Sequence, residues 1–265
     1  MITAPTTFDD TPDDATVEPV EVPPPPPPRP VEWRRALRAL RELLVDPDRT
    51  EKAFELFVAL DGGDEERTFQ RLLADPRGRR LIAERPCLLS PLADRSALAT
   101  LPAGSLGRAY LAYLDRTGLD PAGLVSLKAE MEDQAKRMGQ DLPVLDPIRE
   151  WFRVRGILTH DLWHVLTDYG TDRLGEAALL AFSLAQLPGR ANRLLVFGAA
   201  WRCVTERGPG FLRYLHRAWR RGSRAVWLPA LPYEALLAQP LDAIRATARI
   251  EPAAVAHPGG ILRGE

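Results

Sequence analysis

Apolar residues recur along this chain at helical spacing, in blocks separated by proline, glycine and aspartate. Trp33, Leu37, Leu40 and Leu44 share one face between arginines and glutamates, which predicts a first helix. Asp46-Pro47-Asp48 stops it, Thr50 and Glu51 open a second helix through Leu60, and Asp61-Gly62-Gly63-Asp64 ends that one. A third helix starts near Glu65 and stops before Asp75-Pro76, and a short one from Gly78 runs into Pro86. Ser105 caps a helix with Leu106, Tyr110, Tyr113 and Leu114 on one side. Leu124, Leu127 and Met131 form the seam of another, from Leu124 to Met138. Pro147 suits the first position of a long helix running through Trp151, Val154 and Leu158 to Leu166. Helices follow from about Asp172 to Ala185, Ala191 to Val204, Phe211 to Arg221 and Pro240 to Ile250. Only Ala225-Val226-Trp227-Leu228 reads as a short extended piece. The expected fold is all-α, a single multi-helix domain.

The ends of the chain break this pattern. Residues 1–30 are rich in Thr, Asp and Glu and finish in six prolines, Pro23 to Pro28, a composition with little to bury that predicts a disordered tail. The prolines read as a stiff spacer, or as a polyproline ligand for an SH3-like groove. The folded domain is expected over residues 31–252, with a flexible tail at 253–265. With 265 residues and a net charge of −1, the chain can bury a large core and gives nucleic acid no global attraction. Cys87 and Cys203 are the two cysteines and lie far apart, which argues against a disulfide scaffold or a thiolate zinc site. No uncharged apolar run approaches the roughly 20 residues of a spanning helix. These features, with an acidic start unlike a signal or transit peptide, suggest a bacterial cytoplasmic protein. The stretch Phe211 to Arg221 alternates aromatic and leucine positions with arginines. Such a helix can lie peripherally on an anionic inner membrane, or it can face the core with its arginines solvated.

Candidate chemistry concentrates in His160-Asp161-Leu162-Trp163-His164 and Glu176. Two of the chain's four histidines stand four residues apart, on one helix face where both imidazoles can meet one ion. Asp161 can reach the same spot, and after the break at Asp168-Tyr169-Gly170-Thr171 a second helix can bring Glu176 back as a further ligand. Nitrogen and carboxylate donors suit zinc, with manganese or ferrous iron as alternatives. Asp161 could instead act as a base in a protease-like arrangement, although it is shorter than the glutamate of His-Glu-x-x-His and directly follows the first histidine. His216 and His257 read as ordinary core or surface residues.

The cluster, eleven residues and then Glu176 within Gly175-Glu176-Ala177 resembles the signature of the ubiquinone (coenzyme Q) biosynthesis protein 4 family. Leu101 to Tyr110 is similar to that family's Leu-Pro-x-Gly-Ser-Leu-Gly-x-x-Tyr element. Ala218 to Gly222, Tyr233-Glu234 and Pro240-Leu241 are similar to its C-terminal element. The loop Asp168 to Leu174 departs from the family's more usual glycine directly after the histidine helix. The resemblance implies an all-α fold with His160, Asp161, His164 and Glu176 as metal ligands, zinc being the usual ion. It implies work on a polyprenylated ubiquinone precursor alongside other enzymes of that biosynthesis, in a homodimer. The activity implied is metal-centred oxidative decarboxylation, losing the carboxylate and gaining a hydroxyl at ring C1 of a 4-hydroxybenzoate derivative. A non-catalytic lipid-binding scaffold with a structural metal is the alternative. Apolar side chains between Leu158 and Leu187 could line a groove for the prenyl tail, or could be plain core.

Overall fold

Proline and aspartate set most of the helix starts. In the computed structural model, which describes residues 20–46, 49–137, 139, 142 and 144–262, Asp75, Asp94, Ser105, Asp146 and Asp172 each accept a hydrogen bond from a first-turn backbone N–H. The helices are α1 (Trp33–Val45), α2 (Thr50–Leu60), α3 (Asp64–Ala74), α4 (Pro76–Glu84), α5 (Leu89–Ala93), α6 (Arg95–Thr100), α7 (Leu106–Thr117) and α8 (Pro121–Arg137). They continue as α9 (Pro147–Thr167), α10 (Arg173–Gln186), α11 (Arg190–Arg207), α12 (Gly210–Arg224), α13 (Tyr233–Leu236), α14 (Leu241–Thr247) and α15 (Ala253–Ala256). The all-α expectation holds. Thr50 is not the expected cap, because Arg49 takes that position and Thr50 is already helical. Pro47, Asp48 and Met138 lie outside the described residues.

The main core gathers α7, α9, α10 and α12 around Tyr110, Leu162, Leu166, Leu179, Phe182 and Leu215. A second cluster joins α1 and α2 to α11 through Ala36, Leu56, Leu60 and Ala191, and a third sets Phe69 and Leu72 of α3 against Phe152 of α9. Helices α10 and α12 run so close that a Cβ on Gly222 would lie 2.3 Å from the Phe182 carbonyl oxygen, so this crossing admits only glycine. Gln186 ties the crossing together, donating to the Gly222 carbonyl at 2.6 Å and accepting from Leu228 N–H at 2.9 Å.

The short extended piece is present, with extended backbone at Ala225 and Trp227; Val226 N–H bonds to the Ala248 carbonyl, and a 3₁₀ turn begins at Leu228. Two further points are decided by packing. Phe211, Tyr214 and Leu215 of α12 are buried, which spends the helix's apolar face on the core and leaves Leu212 and Trp219 exposed. The C-terminal segment is docked, because its His257 is buried and Leu262 N–H donates to the Tyr214 hydroxyl at 3.2 Å. The tail prolines also touch the body, where the Pro23 carbonyl accepts from Arg149 at 3.1 Å. Residues 1–19 and 263–265 lie outside the described residues.

Candidate metal centre

Helix α9 begins where Asp146 accepts from Ile148 and Arg149 N–H, with Pro147 in its first turn. It stops where Asp168 adopts the left-handed conformation, φ 62, and its N–H bonds to the His164 carbonyl at 2.8 Å. This is the position where glycine is more usual, and aspartate tolerates that conformation better than most residues. Asp172 then caps α10 by accepting from Leu174 and Gly175 N–H. The reversal is tight enough that a Cβ on Gly175 would sit 2.1 Å from the Gly170 carbonyl oxygen. Glu176 therefore enters in the first turn of α10, close beside the end of α9.

His160, His164 and Glu176 converge, each offering a ligand atom within 4.8 Å of the others. His164 is buried, whereas the side chains of His160 and Glu176 are 45% and 37% exposed. His164 Nδ1 lies 3.0 Å from the Tyr169 carbonyl oxygen, and Nε2 lies 3.1 Å from Glu176 Oε1. Both neighbours are acceptors. A neutral imidazole has one N–H, so with Nδ1–H donating to Tyr169, Nε2 and the carboxylate need a cation or a second proton between them. For His160, desolvation lowers the pKa, but the neighbouring carboxylates of Asp161, 3.7 Å away, and Glu176 outweigh it and raise it.

Asp161 departs from the expected ligand set. It is buried and not among the convergent groups; its Oδ1 accepts from the Tyr113 hydroxyl at 3.2 Å and lies 3.7 Å from His160 Nδ1. Residues 160 and 161 point about 100° apart on a helix, so neighbours in sequence do not share a ligating direction as positions 160 and 164 do. Its Oδ2 is buried without a hydrogen-bond partner, which adds uncompensated negative character beside the three donors. The residues present fit a divalent cation: two imidazoles and one carboxylate as donors, with a second buried carboxylate alongside.

Tyr113 and Tyr169 were not singled out by the sequence pattern. Tyr113 stands on the apolar seam of α7, yet its ring stacks on His164 at 5.8 Å while its hydroxyl holds Asp161. Burial, then the charges of Asp161 and Glu176, push its pKa up, and burial and Asp161 do the same for Tyr110. Both phenols stay protonated. Tyr169 contributes through its backbone carbonyl, a role that side-chain pattern cannot reveal.

The three sequence blocks meet in space. The first-turn N–H groups of Leu106 and Gly107 bond to the carbonyls of Gln239 and Leu237 at 3.0 and 2.8 Å. Trp163 Nε1 donates to the Tyr233 hydroxyl at 2.9 Å, and Arg155 of α9 pairs with Glu234. A family model described as "Coenzyme Q (ubiquinone) biosynthesis protein Coq4" matches residues 62–128 and 146–254. The chain belongs to the Coq4 family. It is 30% identical over 181 residues to the mitochondrial ubiquinone biosynthesis protein COQ4 of Pyricularia oryzae, covering 68% of this chain and 55% of that one. It is 30% identical over 180 residues to the corresponding Aspergillus fumigatus protein, covering 68% and 58%. The chain thus spans a little over half the length of these Coq4 relatives. A crystal structure of a protein from Nostoc punctiforme assigned to ubiquinone biosynthesis superposes with a TM-score of 0.60 at 22% identity, covering 84% of this chain and 100% of that one. That likeness supports the fold.

The expectation of a bacterial cytoplasmic protein at the inner membrane does not stand, because these curated Coq4 relatives are mitochondrial proteins of fungi. No helix among the described residues is long and apolar enough to cross a membrane. Leu158, Leu162, Leu166, Leu179 and Phe182, weighed as groove lining, are buried core. The cavity near Arg149, about 280 Å³ and lined by Pro26, Pro27, Pro28, Phe69 and Phe152, belongs to the opposite end of α9. At 1.5 Å per residue that end is roughly 20 Å from His164.

Proposed function

We propose that the chain serves ubiquinone biosynthesis as a metal-dependent enzyme, removing the carboxylate and installing a hydroxyl at ring C1 of a polyprenylated 4-hydroxybenzoate-derived intermediate. The observation that carries this reading is the openness of the centre: three protein donors converge, and two of them reach the surface. Structural metal sites are closed by four protein ligands, whereas catalytic ones keep a position for water or substrate. His160, His164 and Glu176 would hold the ion, with Asp161 and Tyr113 beside it. When bound, a divalent metal supplies Lewis acidity toward the ring's carboxylate and phenol oxygens. Two imidazoles and one carboxylate also form the donor set of non-haem iron oxygenases, so an oxidative reaction with dioxygen favours iron or manganese over zinc.

The protein's own groups have defined tasks in this reading. Tyr113, kept protonated, donates to Asp161 and screens its charge from an anionic substrate. Buried His164 fixes the inner edge of the site, and half-exposed His160 and Glu176 frame its mouth. Metal analysis combined with turnover on the wild type and Glu176→Ala tests the proposal. The expected result is bound divalent metal, dioxygen-dependent release of carbon dioxide from the prenylated carboxylate, and loss of both in the variant. Stoichiometric metal without carbon dioxide release under iron, manganese and zinc would overturn catalysis in favour of a scaffold role.

A further inference from the structure

The C-terminal third of the chain converges on the end of the histidine helix. The last carbonyls of an α-helix lack partners within the helix. In α9 they are taken by side chains from far along the sequence. Arg245 donates to the carbonyls of Leu166 and Val165, both at 3.0 Å, and Arg221 donates to that of Thr167 at 2.5 Å. Arg221 also donates to the Glu251 carbonyl at 2.6 Å, tying the same point to the segment that leads into α15.

One contact in this group reaches the metal centre. Tyr169, whose carbonyl accepts from His164 Nδ1, is buried, and its hydroxyl lies 2.8 Å from His257 Nε2. Arg221 lies 5.2 Å from the centre of the Tyr169 ring, and the Tyr214 ring meets its edge at 6.5 Å. His257 itself packs on Tyr214 with ring centroids 4.2 Å apart. A continuous path therefore runs from His257 through the Tyr169 side chain to its carbonyl, and from there to the ring of His164. The partner of a ligand's far nitrogen decides which nitrogen faces the metal and how the ring is turned. The stretch matched by the family model ends at residue 254, so His257 joins this path from beyond it.

We infer that His257 is a positioning residue for the metal centre: the docked C-terminal segment clasps Tyr169, and the Tyr169 carbonyl holds His164 with Nε2 directed at Glu176. The inference rests on the metal-centre reading above and adds a remote determinant of its geometry. Loss of the His257 contact frees the hydroxyl end of Tyr169 and loosens the carbonyl that orients the ligand.

The test compares the full chain with its His257→Ala, His257→Gln and Tyr169→Phe variants, using two readouts and urea unfolding as a control. The first readout is zinc and ferrous-iron affinity. His257→Ala and Tyr169→Phe are expected to weaken it about tenfold, the lower end of outer-shell effects, while His257→Gln, which retains a partner for the hydroxyl, restores most of it. The second is solvent exchange of the His164 Nδ1 proton, followed by imidazole NMR on ¹⁵N-labelled metal-free protein. It is expected to be slow in the wild type and at least about tenfold faster in His257→Ala as the clasp opens. A drop in unfolding stability with unchanged affinity and unchanged exchange overturns the inference and makes the segment a structural cap. If the wild type binds no divalent metal, the proposed function fails, and the proton exchange still decides whether the clasp orients His164.

Discussion

The two ends of α9 each carry a cluster of charged and polar groups, and they are built in opposite ways. At the N-terminal end Arg149 is buried and fully engaged: it pairs with Glu66 at 2.6 and 2.9 Å, with Asp146 at 2.6 Å and with the Pro23 carbonyl at 3.1 Å. Its pKa is raised, with the Glu66 hydrogen bond as the largest cause. At the C-terminal end two carboxylates flank two imidazoles, an oxygen of Asp161 is buried without a partner, and a nitrogen faces an acceptor. A cluster that satisfies its own charges holds helices and a strap together. A cluster with more acceptors than donors has the charge balance that a bound cation would complete, which is the reading proposed above.

The contrast predicts opposite responses to substitution. Arg149→Met strands two acidic groups and is expected to cost about 3–5 kcal/mol of unfolding stability, read by urea denaturation, with metal affinity unchanged. A cost below about 1 kcal/mol, the range of a surface pair, would mean the N-terminal cluster is not the closed structural network described here.

Acid should act at the other end, through His257. Burial, followed by the charges of Arg221 and Arg217, lowers its pKa from 6.5 to about 4. The folded value lies below the unfolded one, so the unfolded chain takes up the proton first as pH falls. Stability that is complete above about pH 6.5 is lost through the window down to about 4, by up to about 3 kcal/mol. His257→Gln, which cannot titrate, should flatten that part of the stability profile; an identical acid profile in the variant would assign the loss to other groups.

The smallest effect has the opposite sign. Glu176→Gln replaces an acceptor facing His164 Nε2 with an amide that can donate, and should stabilise the metal-free protein by about 1 kcal/mol. Destabilisation by a similar amount would falsify the acceptor-against-acceptor geometry and indicate a protonated His164 paired with Glu176.

Much of this was legible in the residues. Ser105 caps α7, Pro147 marks the first turn of α9 and α10 begins beside Asp172, as the pattern indicates, whereas the caps supplied by Asp75 to α4 and by Asp146 to α9 emerge from the structure. The pairing of His160 with His164, and the return of Glu176 after the turn, follow from helical periodicity and a loop of known length. Other features were not legible for equally physical reasons. Asp161 is adjacent to His160 in sequence, but only the packing of α7 shows that Tyr113 claims it. Phe211, Tyr214 and Leu215 form an amphipathic face that suits a membrane or a core equally, and α10 decides for the core.

What the sequence determined by itself was therefore local: caps, periods and the spacing that brings two imidazoles to one side of a helix, all set by interactions within a few residues. What only the tertiary structure decided was which groups remain unsatisfied after packing, and which residues hold the two imidazoles in place. His257 lies 93 positions beyond His164 and acts through a tyrosine side chain and a backbone carbonyl. No periodicity encodes such a contact, because its strength comes from burial and geometry that exist only once the chain has folded.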